Sequence, residues 1–318
     1  MTRTAVVLMN LGGPASLAEV EPFLVNLFRD VVRFPWGAAG SGILGRFIAR
    51  RRRSHAQGLY RQIGGGSPIL QETQAQAAAL QSALDGGSSV SSAMRYSPPF
   101  ISDSRAPLQA DGHGWDRIVA LPLFPQYSFA TTRTCQRAWE SARNQGRTPT
   151  TLVGAFHRQP DFVAAQQELL QQTLTTSGRP DAVHVVFSAH SVPLSYIRRG
   201  DPYRDQVEET VRLVMTGLPN PYTIAYQSRV GPVKWLEPAT LAHVQELGKR
   251  GVTSLAVVPI AFVCEHLETL YELDILVRAA AEQAGVDEYL RVPAPGVHPK
   301  FIAALAHVVQ HPENYPLP

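Results

Sequence analysis

The sequence predicts an α/β protein of two Rossmann-like, doubly wound domains, each with a four-stranded parallel sheet flanked by helices. Three observations carry this. Short apolar, β-branched runs alternate with longer segments of helical period, the order that parallel sheets covered by helices require. The alternation falls into two successive sets of four runs. Finally, 318 residues exceed what one hydrophobic core ordinarily serves, and a composition of 44% hydrophobic and 17% charged residues suffices to bury two.

In chain order, strands are expected at residues 5–9, 90–95, 117–123 and 151–156, with helices over 17–28, 70–84 and 132–144. The second set of strands is expected at 182–188, 223–227, 253–261 and 290–293. The division is therefore 1–155 for the first domain and 156–296 for the second. Residues 297–318 are left as a C-terminal helix expected to pack back on the first domain. One segment breaks the order. VVRFPWGAAGSGILGRFI, at 31–48, carries Phe34, Trp36, Ile43, Leu44 and Phe47 among glycines, too apolar for an ordinary surface loop. It reads either as an apolar lip, around a pocket or against a bilayer, or as a loop folded onto its own core.

Composition excludes several classes. A net charge of +3 without a long Lys/Arg track argues against nucleic acid as a partner. The one basic cluster, Arg50, Arg51, Arg52 and Arg53, is either a solvated helix face or suited to acidic lipids or substrate carboxylates. Cys135 and Cys264 stand far apart, so neither a disulfide framework nor a cysteine metal site is indicated, and a reducing compartment follows. The first residues enter a strand too early for a signal peptide, and no run reaches the ~18 apolar residues of a membrane span. The location expected is cytoplasmic, with peripheral contact at the inner face of the membrane if the lip serves that end.

Ligands of open α/β sheets bind beyond the carboxyl ends of the strands, which directs attention to the residues following each apolar run. Four places qualify. Asn10-Leu11-Gly12-Gly13-Pro14 follows the first strand but lacks the spacing of a phosphate-binding loop, so a nucleotide-binding protein is a poor fit. YRQIGGGSP at 60–68 sets three glycines before a hydroxyl, which suits a flat or bulky ligand against the main chain, or a hinge. FSAHSVP at 187–193 ends a strand with His190, either a structural histidine or one placed to accept a proton or bind a borderline metal. FVCEHLETLYELD at 262–274 spaces Glu265, Glu268 and Glu272 three and then four apart, along one helical face. Such like charges repel unless a cation, a proton or the helix N-terminus offsets them. One histidine and several carboxylates in one cleft suit a divalent metal in transit better than a closed structural site.

Five motifs resemble one family. NLGGP at 10–14, YRQIGGGSPI at 60–69, FSAHSVPLSYIRRGDPY at 187–203, YQSRVGPVKWLEP at 226–238 and PIAFVCEHLETLYELDI at 259–275 are similar, in order and spacing, to those of the ferrochelatases. The resemblance implies two Rossmann-like domains with a porphyrin in the cleft between them, and ferrous iron as substrate rather than cofactor. It implies the insertion of Fe2+ into protoporphyrin IX to give protohaem, the last step of haem biosynthesis. It makes His190 the active-site histidine and Glu268 its acidic partner, with Glu272 and Glu265 continuing a path for iron or protons. It also implies ring contacts at Leu11, Phe28, Trp235 and His266, Arg95 near the cleft, and propionate-binding positions at Arg52, Tyr60 and Ser67. Glu265 stands where Asp is more common, and the cysteines of cluster-containing members are missing, so no iron–sulfur cluster is expected. Rival readings are a chelatase for another metal or for coproporphyrin, and a non-catalytic porphyrin or haem carrier.

Overall fold

The computed structural model describes residues 2–31, 38–84, 86–109, 114–142, 148–229, 231 and 233–318. Among these, eight strands form two parallel sheets of four, wound in the same order. The first half runs β1 (Thr4–Asn10), α1 (Val20–Val31), α2 (Ala38–Gln62), α3 (Ile69–Ala83), β2 (Ser88–Met94), α4 (Ile101–Gln109), β3 (Arg117–Pro122), α5 (Thr132–Ser141) and β4 (Thr150–Leu152). Then α6 (Pro160–Leu174) leads into β5 (His184–His190), α7 (Leu194–Ile197), α8 (Tyr203–Val214), β6 (Tyr222–Gln227), α9 (Thr240–Lys249) and β7 (Ser254–Val258). A π-helix (Glu268–Val277), α10 (Arg278–Gln283), β8 (Glu288–Arg291) and α11 (Pro299–Gln310) complete the chain. The sheet orders are β2-β1-β3-β4 and β6-β5-β7-β8. In each, the chain reverses its direction of winding beside the first strand, so each sheet has a crevice at its carboxyl edge, between β1 and β3 or between β5 and β7.

Alternation along the strands explains why helices cover both faces. In the first sheet Val6, Leu8, Val119 and Leu121 pack with Leu80 of α3, Phe162 of α6 and Phe301 and Leu305 of α11. Ala5, Val7, Met9 and Ile118 point the other way, onto Ile101 of α4 and Trp139 of α5. The second sheet repeats this, with Phe187 and Val185 against α8 and Val186 and Val257 against α9 and the π-helix. Helix α6 joins both cores, through Phe162 on one side and Leu170 on the other.

The strands begin and end where backbone donors run out or are claimed elsewhere. β4 stops at Leu152, short of the expected 151–156, because the C-terminal tail takes over: the Gly154 N–H donates to Tyr315 O at 2.8 Å. β7 stops at Val258 because Pro259 has no N–H to continue the ladder. β5 runs two residues further than expected, to His190, because its polar Ser188 is bonded inside the core rather than exposed. β8 begins earlier, at Glu288, whose carboxylate accepts from the Ser177 and Ser254 hydroxyls at 2.7 and 2.5 Å.

The largest departure from expectation lies in residues 31–48. Phe34 and Trp36 fall outside the described residues, but from Ala38 onward the segment is the start of α2, a helix of 25 residues, and not a loop. Its glycines mimic a loop signal. Gly45 is instead a packing residue: a side chain there would press within 3.2 Å of the Arg29 backbone N on α1, so its absence lets the two helices cross closely.

Helix α11 lies against the first sheet, with Phe301, Leu305 and Val308 fully buried. A Leu305→Ala substitution is expected to remove about 3 kcal/mol of stability, read as a lowered urea midpoint with an unchanged slope.

Candidate active site

The crevice between β5 and β7 gathers the chemistry. His190 is the last residue of β5, and its Nδ1 lies 2.7 Å from Ser191 O. A carbonyl only accepts, so Nδ1 carries the proton and Nε2 is left as the basic nitrogen. Across the crevice, the chain leaving β7 places Phe262 edge-on to both His190 and His266, at centroid distances of 6.5 and 4.5 Å. His266 stands just before the π-helix, and its Nδ1 is 3.0 Å from Glu268 Oε2.

The π-helix carries Glu268 and Glu272. Its turns close hydrogen bonds over five residues rather than four, so residues four apart still share a face. Gln227, at the end of β6, holds that face in place: its amide donates to Glu268 O at 2.7 Å and to Glu272 Oε2 at 2.9 Å. Gln227 is itself fixed by Ser188, whose hydroxyl donates to Gln227 Oε1 at 2.7 Å and lies 2.8 Å from the Thr240 hydroxyl. Ser228 adds a donor to Glu272 at 2.5 Å and does so from a backbone φ of +63°, a conformation that costs energy for a residue with a side chain.

The two carboxyls are driven apart electrostatically. For Glu268, burial favours the neutral acid, but His266 and then His190 outweigh it and hold the group at a pKa of about 2. For Glu272, burial and the adjacent Glu268 charge raise the pKa, and the bonds from Ser228 and Gln227 offset only part of this. One group is a fixed anion and the other takes a proton more readily, which is the separation that divides roles between neighbouring acids.

The third expected carboxylate does not belong to this face. Glu265 precedes the helix, so three-and-four helical spacing does not apply to it, and it is turned into the protein. Its Oε1 is 2.8 Å from the Arg291 guanidinium and accepts from Ala294 N at 2.9 Å, while Arg291 also pairs with Asp274 at 3.0 Å. Burial opposes ionisation of Glu265, yet Arg291 and these bonds bring its pKa below the ordinary value.

The first half meets this crevice through an apolar cluster in which Phe28 of α1 and Tyr60 of α2 pack with Leu267, immediately before Glu268. Burial, with the Glu268 charge added, drives the Tyr60 hydroxyl above its ordinary pKa. The Arg52 guanidinium lies 5.9 Å from the Phe28 ring. The two glycine motifs pack against each other: the Ser67 N–H donates to Pro14 O at 2.7 Å, and Gly66 lies so close to Ala15 O that no side chain fits. Ser67 Oγ also accepts from Ile69 N at 3.4 Å, at the start of α3. Leu11 joins the edge of the β2 turn by accepting from Tyr96 N at 2.9 Å, and Trp235 pairs by its backbone with Pro193, three residues beyond His190. Arg95 is the exception, with its guanidinium bound to Asp30 at 2.7 Å. Cys264 is a core residue, buried beside Asn10, with its thiol pushed up to about 12 by burial. Gln227, Ser228 and Phe262 were not singled out from the sequence. Their only signal was membership of the motifs at 226–238 and 259–275.

Two solved structures share this architecture. SirB from Bacillus subtilis with Fe3+ superposes with a TM-score of 0.58 over 98% of this chain and 95% of its own, at 14% identity. CbiX, described as the terminal enzyme for biosynthesis of sirohaem in denitrifying bacteria, gives a TM-score of 0.52 over 97% and 98% at 18% identity. These likenesses define the class, a protein of chelatase fold. The sequence narrows it further. The ferrochelatase family model matches residues 3–313, and ferrochelatases of Nostoc sp. and Synechocystis sp. are 44% and 43% identical, each over 99% of this chain and 84% of their own length. The chain belongs to the ferrochelatase family, and is a lyase that inserts iron into protoporphyrin in haem biosynthesis.

Two outcomes follow from the site geometry. Glu265→Gln is expected to cost about 3 kcal/mol in urea unfolding, because it leaves a buried arginine half paired. In infrared titration, the carboxylic-acid band that vanishes in Glu272→Gln is expected to ionise above the ordinary glutamate range. In Glu268→Gln that ionisation shifts to lower pH, since the repelling charge is gone; an unchanged position would mean that the two groups do not interact.

Proposed function

We propose that iron insertion takes place on the face formed by His190, His266, Glu268 and Glu272, and that the observation carrying this is the gathering of two imidazoles around Phe262 beside two carboxyls that Gln227 holds on one face of the π-helix. Inserting Fe2+ into a porphyrin releases two pyrrole protons, so the site needs acceptors that are unprotonated at rest and a fixed negative charge toward which the cation moves. Nε2 of His190 is the first acceptor, its tautomer set by Ser191 O. Glu272 receives protons onward because its pKa is raised, while Glu268 stays ionised and orients His266. As each pyrrole proton leaves, its nitrogen lone pair turns to the iron; one dication enters, two protons depart, and the charge balances. Glu265, bound to Arg291, anchors the loop that enters the π-helix and takes no proton.

Porphyrin contacts fall to Leu11, Phe28, Trp235 and His266 around the ring and to Arg52, Tyr60 and Ser67 at the propionates. The packing of Phe28 and Tyr60 against Leu267 supports this, since it brings the first half to the start of the π-helix. We read the chain as domains 1–155 and 156–296 with 297–318 folded back on the first, in keeping with the core that α11 shares with the first sheet. The enzyme acts without an iron–sulfur cluster in this reading, and both its cysteines are buried.

The reading also places the protein in the cytoplasm, in peripheral contact with the inner face of the membrane. No described helix is long and apolar enough to cross a bilayer. Helix α2, however, leaves Ile43 and Phe47 exposed at 74% and 58%, beside Arg46, Arg50 and Arg53, a pairing of apolar and basic groups suited to an anionic lipid surface.

The test is anaerobic absorbance with protoporphyrin IX and Fe2+. His190→Ala is expected to bind porphyrin, by fluorescence quenching, and to insert iron about a hundredfold more slowly or worse. Insertion at the parent rate would remove His190 from the mechanism.

A further inference from the structure

Between α1, α4 and α5, a cavity of about 410 Å³ is lined by Arg29 and Asp30 of α1, Arg95, Ser102 at the start of α4, and Arg137 of α5. Three guanidinium groups face one carboxylate, and that carboxylate is already committed. Asp30 Oδ2 accepts from Arg95 at 2.7 Å and from the Tyr96 hydroxyl at 2.9 Å. The remaining edge of Arg95 is buried, with its Nε lacking an acceptor among the described residues, and its plane lies 4.9 Å from the Tyr96 ring. Arg29 and Arg137 have no ion pair among the described residues. Arg29 and Arg137 stand exposed at the mouth, where water screens their repulsion, and an anion entering between them and the more enclosed Arg95 would meet three charges of opposite sign. Ser102 also lines the cavity, but its hydroxyl donates to Asp103 Oδ1 at 3.1 Å and the Asp103 and Ser104 N–H groups of the first turn of α4 donate to Phe100 O, so the arginines are the groups open to a ligand.

We propose that this cavity binds a small oxyanion, a phosphate or a carboxylate, independently of the porphyrin. Arg29 and Arg137 hold its oxygens from opposite walls, and Arg95 keeps Asp30 from repelling it. Guanidinium groups match the oxygens of such ligands in pairs, so each arginine contributes directional bonds as well as charge. The volume suits a compact solute rather than an extended chain. A lipid phosphate reaching in from a membrane surface would offer the same chemistry, and the two sources are separable.

The experiment is calorimetric titration of the full chain with inorganic phosphate, pyrophosphate and citrate, at constant ionic strength. The expected result is saturable one-to-one binding that weakens about tenfold or more in both Arg29→Ala and Arg137→Ala. It is unchanged in Arg53→Ala, which removes an arginine from the neighbouring groove instead. Arg137→Lys, which keeps the charge and loses the paired geometry, gives an intermediate affinity and serves as the deciding variant if Arg137→Ala melts early. Saturating protoporphyrin leaves the phosphate affinity as it was. Flotation with phosphatidylglycerol vesicles separates the sources: binding that free phosphate competes away and Arg137→Ala abolishes identifies a headgroup, and its absence identifies a soluble anion. Absence of saturable heat, equal weakening in Arg53→Ala, or displacement of phosphate by porphyrin would each overturn the proposal.

Discussion

The contact on which the site depends is the one between His266 Nδ1 and Glu268 Oε2, 3.0 Å apart at the entrance to the π-helix. An interior carboxyl left to itself takes up a proton, and Glu268 would do so here without the imidazoles of His266 and His190. Its charge then adds to the effect of burial, which is the larger cause, in raising Glu272 one turn away and the Tyr60 hydroxyl above their ordinary pKa values. The polar chain from Thr240 through Ser188 and Gln227 to Glu268 O fixes this arrangement from below. None of its members can relax without unsatisfying the next, which makes such networks rigid.

Two copies of one winding have been put to different uses. Both sheets offer a crevice at the carboxyl edge, but in the first half Asn10 is turned into the structure, bonding Thr73 and Cys264, and the glycine loops pack on each other. The first half thereby becomes a wall and the second half a reactive edge. Polar bonds lock the halves together: Gln76 donates to Val263 O at 2.7 Å, and Asp201 accepts from Ser128 Oγ and Phe129 N at 2.9 and 2.7 Å. On the proposed reading, a cleft held from both sides in this way would bend a planar ring by contacts to its periphery.

Much of this was legible in the sequence, and what was not has identifiable causes. The two sheets followed from alternation of apolar runs, and with them the position of His190 at a strand end, whereas the role proposed for it came from the motif resemblance. Helix α2 was hidden because Gly45 and its neighbours read as loop, whereas Gly45 serves the close crossing with α1. The carboxylate ladder was misjudged at Glu265 because spacing assumes a helix that has not yet begun there, and because its partner Arg291 lies twenty-six residues on in a different strand. Ser228 was beyond sequence reasoning, since its role rests on a positive φ that nothing in its residue type requests. Membership of the ferrochelatase family, by contrast, was carried by five motifs at once, and the family match over residues 3–313 agrees with them.

The most direct test of the account is single-turnover iron insertion by Glu268→Gln, followed anaerobically across the neutral pH range beside the parent. Glutamine keeps the shape and removes the charge. The account predicts that porphyrin still binds and that insertion falls about a hundredfold at every pH, because the cation loses its fixed counter-charge and His266 its partner. Insertion by Glu268→Gln at the parent rate and with the parent pH profile would contradict it.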